Sequence, residues 1–132
     1  MDAKVAPLSL RLEIPLAPLA IRTAEAREFQ AAIKTELELQ GWRKWHAGGV
    51  TFPGAVEMEL MLYYYTPASW SERKKARTLF RTVAPEASDL AKLVLEAMTG
   101  ICYKHPAQVA RLMVEKRYGP ACTVIILRSL GA

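Results

Sequence analysis

Between Ala55 and Tyr65 apolar and polar side chains alternate, with Val56, Met58, Leu60, Leu62 and Tyr64 on one side and Glu57 and Glu59 on the other. A period of two sustained over that length reads as a long central β-strand with one face buried, because a slip of one residue would turn carboxylates into the core. The rest of the chain has to supply an apolar layer for that face and strands to pair with its edges.

Leu8 to Ile14 alternates in the same way and stops at Pro15, which predicts a second half-buried strand. From Thr23 the apolar residues Ala26, Phe29, Ile33 and Leu37 recur at helical spacing until Gly41. A turn over Thr66–Ser71 leads into a short basic helix, Ser71 to Arg77, with Leu79 and Phe80 near its end. The next helix, Asp89 to Met98, turns Leu90, Leu93, Val94, Ala97 and Met98 inward and leaves Asp89, Lys92 and Glu96 on the opposite face. Gln108 to Tyr118 and Cys122 to Leu127 read as a hairpin-like pair of strands joined at Gly119-Pro120. That order predicts a single α+β domain over residues 1–132, with a mixed or mainly antiparallel sheet and about three helices.

A chain of 132 residues has room for one core. Its longest apolar stretches, such as Met58 to Tyr65, fall short of the roughly 20 residues a membrane helix needs, and Met1-Asp2-Ala3-Lys4 does not begin a secretory signal. The expectation is a cytoplasmic protein with no membrane partner. Cys102 and Cys122 both sit in apolar, strand-like surroundings and read as small buried hydrophobes, since neither has zinc-site spacing to His46 or His105. A formal charge of +5 and a pI near 9.4 suit a polyanionic partner, because Lys and Arg displace counterions from phosphates. In the loop Gly41–Gly49, Trp42 and Trp45 alternate with Arg43 and Lys44; the tryptophans either stack on bases or cap the core.

Four segments, taken in order, carry a resemblance: Pro67-Ala68-Ser69-Trp70-Ser71 followed by Arg73, Lys74 and Lys75; Pro85-Glu86-Ala87-Ser88-Asp89-Leu90-Ala91-Lys92; Gly100-Ile101-Cys102-Tyr103-Lys104 running through His105-Pro106-Ala107 to Gln108-Val109; and Lys116-Arg117-Tyr118-Gly119. Together they resemble the RusA family of Holliday-junction endonucleases. In that family the second segment reads Pro-Asp-x-Asp-Asn-Leu-x-Lys, and two further acids precede Gln-Val. Its carboxylates gather Mg²⁺, which activates water and neutralises charge during phosphodiester hydrolysis. The resemblance places the first family acid at Glu86, the second at Ser88, the following Asn at Asp89 and the lysine at Lys92, and puts the later acids at His105 and Pro106.

Carried over in this way, the resemblance implies Glu86, Asp89 and Lys92 as catalytic residues and Glu86, Asp89 and His105 as metal ligands. A second reading of the same residues makes Ser88 a helix cap, Asp89 a partner of the helix dipole and Glu86 a solvated side chain. Of the basic loop that follows the family's first strand, only Arg22 remains. The resemblance implies a homodimer that binds branched DNA, the four-way junction, through Arg73, Lys74, Lys75 and Arg77, with Lys104, Lys116 and Arg117 as further phosphate contacts. Acids missing at Ser88 and Pro106 predict impaired or lost cleavage, with Mg²⁺ needed only where cleavage survives. The alternatives are an active Mg²⁺ or Mn²⁺ nuclease with altered ligands and a non-enzymatic subunit that binds another protein.

Overall fold

A computed structural model describes residues 9–15, 23–40 and 52–131. Arg22, His46 and the Trp42/Trp45 loop lie outside the described residues. The alternating run is strand β2, Ala55–Tyr64, and the earlier one is β1, Ser9–Ile14. Between them lies α1, Thr23–Leu39, and after β2 come α2, Glu72–Arg77, and α3, Ala87–Met98. A 3₁₀ turn, Pro106–Gln108, leads into β3, Val109–Tyr118, and the chain closes with β4, Cys122–Gly131.

The four strands form one sheet in the order β1-β4-β2-β3. β1 with β4 and β4 with β2 are antiparallel, whereas β2 with β3 is parallel, so the domain is α+β with a mixed sheet. Parallel neighbours need a crossover, and the segment carrying α2 and α3 provides it. The expected hairpin between β3 and β4 is not formed, because β2 lies between them. Gly119–Ala121 instead step across the end of β2, where the Gly119 N–H donates to the Tyr64 carbonyl at 2.9 Å. A Cβ on Gly119 would stand 3.3 Å from the Tyr63 ring, tighter than side chains normally pack, which suits glycine to this step.

In register, Met58 pairs with Leu127 and Leu60 with Ile125, and these residues are buried together with Leu10, Leu12 and Ile14 of β1. Phe29, Ile33 and Leu37 of α1 and Leu90, Val94 and Met98 of α3 complete the core on this face. The two helices also meet through Gln30, whose Nε2 donates to the Leu93 carbonyl at 3.0 Å. Past the end of α3, Gly100 takes a positive φ of 85°, and the Tyr103 hydroxyl reaches back to the Leu95 carbonyl at 2.7 Å. Cys102 lies in this turn and not in a strand; burial pushes its thiol up to about 12. Cys122 opens β4 and is half-buried. No helix among the described residues is long and apolar enough to cross a membrane.

Gln108 is a node joining two distant segments. Its Nε2 donates to the carbonyls of Phe52 and Gly54 at 2.9 Å each, and its Oε1 accepts from the backbone N–H of Lys104 at 2.7 Å and His105 at 3.1 Å. Replacing it leaves these groups without a partner, so Gln108→Ala is expected to lower the unfolding free energy by about 2–4 kcal/mol in urea titration.

On the face away from the helices, Glu57 of β2 accepts from Arg111 of β3 at 2.8 Å and from Arg128 of β4 at 2.7 Å. Arg128 bonds Glu59 as well. The guanidinium of Arg111, then that of Arg128, hold the Glu57 carboxyl below its ordinary value of 4.5. A folded pKa lying below the unfolded one contributes stability above the unfolded value, and that contribution fades as pH falls through the folded value. Glu57→Gln is therefore expected to melt below wild type at pH 7, with the difference shrinking steadily once the solution is more acidic than about pH 4.5.

Candidate nucleic-acid surface and acidic site

Six residues make a short helix in α2, and Ser71 starts it by accepting the Lys74 N–H at 3.2 Å on its hydroxyl. Trp70 fixes the helix to the sheet, edge-on to Tyr118 at the end of β3 with ring centroids 5.0 Å apart. The Lys74 ammonium stands 4.5 Å from the Trp70 ring centroid, within cation–π range. Arg73, Lys74 and Arg77 are exposed and form no ion pair among the described residues, while Lys75 meets Glu72 at 3.4 Å.

The cations of the sheet are differently placed. Arg11 pairs with Glu13, Arg111 and Arg128 with the β2 carboxylates, and Arg117 with Glu115 through Nε at 3.0 Å and Nη2 at 2.7 Å. Arg117 also lies over Phe80, 5.4 Å from its ring centroid. The paired cations are largely neutralised where they stand, so α2 carries uncompensated positive charge on an aromatic mount. Lys104 is exposed.

Lys116 has a task inside the protein: its ammonium donates to the carbonyls of Val83 at 2.7 Å and Pro85 at 2.6 Å. Arg81 donates to the intervening Ala84 carbonyl at 2.8 Å, so three successive carbonyls before α3 face two cations. Burial, then the nearby Arg81 charge, lower the Lys116 pKa, and Glu86 opposes them. The guanidinium of Arg81 also lies 4.2 Å from the Tyr64 ring centroid. Arg81 is the working residue that sequence patterning passes over, since an arginine in a loop carries no periodic signal, whereas Gln108 stands out in the sequence only through the Gln108-Val109 segment of the resemblance.

Pro85 and this clamp set where α3 begins. The Leu90 N–H donates to the Glu86 carbonyl at 3.2 Å, so Glu86 is the N-cap and makes no side-chain cap bond. Ser88, expected as the cap, is already inside the first turn, because the helix starts earlier than the apolar pattern suggests. Glu86, Asp89 and Lys92 are exposed and follow one another at a spacing of three, along one side of the helix start. His105 lies beyond the other end of α3, and twelve helical residues span about 18 Å. Within one chain the fold does not bring His105 beside Glu86 and Asp89. Among the described residues no three His, Cys, Asp or Glu side chains cluster closely enough to hold a metal ion. Among the described residues, the chemistry available at the start of α3 is that of two exposed carboxylates beside a lysine.

The family model described as endodeoxyribonuclease RusA matches residues 17–127. No curated protein sequence matches the chain.

Since Lys116 and Arg81 hold the segment that launches α3, Lys116→Met is expected to cost about 1–3 kcal/mol of stability. The loss should be local: amide exchange at Leu90 to Leu93 should accelerate more than exchange at Leu95 to Met98 when the two proteins are compared by hydrogen-exchange mass spectrometry.

Proposed function

The chain belongs to the RusA endodeoxyribonuclease family, and from that premise we propose that it is a cytoplasmic homodimer that holds four-way DNA junctions, with metal-dependent cleavage impaired or lost. The observation that carries the binding half is the uncompensated charge of Arg73, Lys74 and Arg77, mounted beside Trp70 on the end of β3. Phosphates are bound by cations whose charge is not already spent, and a rigid aromatic anchor lowers the entropic cost of holding them. Lys75 joins this surface less strongly because Glu72 competes for it. Lys104 adds an exposed cation near the start of β3, whereas Lys116 and Arg117 support the surface from beneath through their internal partners.

Support for impaired cleavage comes from the donor set. Ser88 and Pro106 stand where the family resemblance expects acids, and Glu86 with Asp89 lies at one end of α3 while His105 lies past the other. A catalytic metal stabilises transition-state charge by several kcal/mol, and each ~1.4 kcal/mol is tenfold in rate, so its loss slows hydrolysis on the order of a thousandfold or more. Lys92 keeps the position from which it can face a phosphate, without a metal to act with.

A labelled four-way junction incubated with the protein in Mg²⁺ or Mn²⁺, beside a duplex control, should be retained and left uncut. Cutting that Glu86→Gln and Asp89→Asn abolish would instead establish an active nuclease with altered ligands. Absence of both retention and cutting would leave a protein-binding role. In the retained complex, combining Arg73→Ala, Lys74→Ala and Arg77→Ala should reduce the slope of log affinity against log salt by about 2–3, near 0.9 per lost phosphate contact. Arg117→Gln should leave that slope unchanged.

A further inference from the structure

Directly after α2 the backbone is held fast while its apolar side chains stand in solvent. The Arg81 N–H donates to the Lys116 carbonyl at 2.8 Å and the Tyr118 N–H to the Leu79 carbonyl at 2.9 Å, with Phe80 bridged to Arg117 between them. Further on, the Val83 carbonyl accepts from the Lys116 ammonium at 2.7 Å. Leu79 is nevertheless 50% exposed, Phe80 51% and Val83 54%. The Arg117 guanidinium stands 5.4 Å from the Phe80 ring centroid and is itself paired with Glu115, so the ring is braced by a cation whose charge is already answered. Side chains on a backbone bonded in this way cannot reach the core by a small shift of the chain. Their concentration within residues 79–83 exceeds the scattered apolar residues of an ordinary surface and marks a contact.

We infer that Phe80 is a base-stacking residue: its ring takes the open face of an unpaired base while α2 holds phosphates of the same strand. The inference rests on the DNA binding proposed above and names the residue that tells interrupted DNA from continuous duplex. Charge decides the occupant. Phe80 follows Arg77 by three residues, at most about 11 Å of extended chain, and Arg73, Lys74 and Arg77 form no ion pair among the described residues. A base arrives at an aromatic ring with phosphates attached, so one strand satisfies both the ring and the cations. An apolar protein surface would cover the ring and leave those cations without counter-charge. A continuous duplex does not fit either, because each base face is covered by its neighbours and the grooves offer only base edges. Free base faces occur where stacking is broken, at a branch point, a fork or a single strand. Since residues 79 and 81 are bonded to β3, the ring is presented without further ordering, which lowers the entropic cost of stacking on it.

The test is a fluorescence-anisotropy titration of two end-labelled DNAs of matched sequence, a fork with single-stranded arms and a continuous duplex, without divalent cation so that neither is cut. Wild type should hold the fork more tightly than the duplex. Phe80→Ala, confirmed as folded by circular dichroism, should weaken fork binding about tenfold. It should leave duplex affinity and the slope of log affinity against log salt unchanged, because no phosphate contact is lost. Phe80→Leu keeps apolar bulk without a flat face and should behave like Phe80→Ala, which also covers the case in which the alanine variant fails to fold. Phe80→Trp should keep the preference for the fork. A Phe80→Ala protein that binds the fork as wild type does, one that weakens on both DNAs alike, or a Phe80→Leu protein as selective as wild type would each overturn the inference. Any of these in a protein that still retains DNA overturns the inference alone, whereas a wild type that holds no DNA removes the reading beneath it as well.

Discussion

Two carboxylates on the inner strand of the sheet fix which strands can flank it. Glu57 and Glu59 lie on the helix-free face of β2, and they are neutralised by arginines from both neighbours, Arg111 of β3 and Arg128 of β4. A slip of either neighbour by one residue would move its arginine to the helix face and leave an acid unpaired in a half-buried position. The same pairing sorts the cations of a basic chain. The arginines of the sheet are committed to acids, and Arg73, Lys74 and Arg77 of α2 are left to face solvent. Charge available to a polyanion is thus decided by the register of the sheet more than by the net charge of the sequence.

What could be read from the sequence follows the range of each signal. The alternation of Val56 to Tyr64 and the helical spacing of Leu90 to Met98 are local, and both elements lie where that periodicity puts them. Strand adjacency is not local. Gly119-Pro120 marks a reversal of the chain, but nothing in those residues says that β2 occupies the space between the two strands they join. The start of α3 was obscured because the apolar pattern begins at Leu90 while the backbone turns helical at Ala87, directly after the N-cap Glu86, with Pro85 held in place by Lys116 and the carbonyl before it by Arg81. His105 shows the same limit: in sequence it follows the acids in family order, yet the length of α3 sets it apart from them within one chain.

The positions where the chain agrees with the family pattern are largely those with structural work to do. Gln108 ties the start of β3 to Phe52 and Gly54, Lys116 clamps the entry to α3, Tyr118 receives Trp70, and Gly119 passes over the end of β2. Each substitution there would disturb the backbone course of the domain. Ser88 and Pro106, by contrast, stand at exposed positions where a change of side chain leaves the core untouched. A scaffold of this kind can keep its shape and its charged surface while the chemistry at one exposed helix start drifts, which is why family membership and catalytic competence are separate questions.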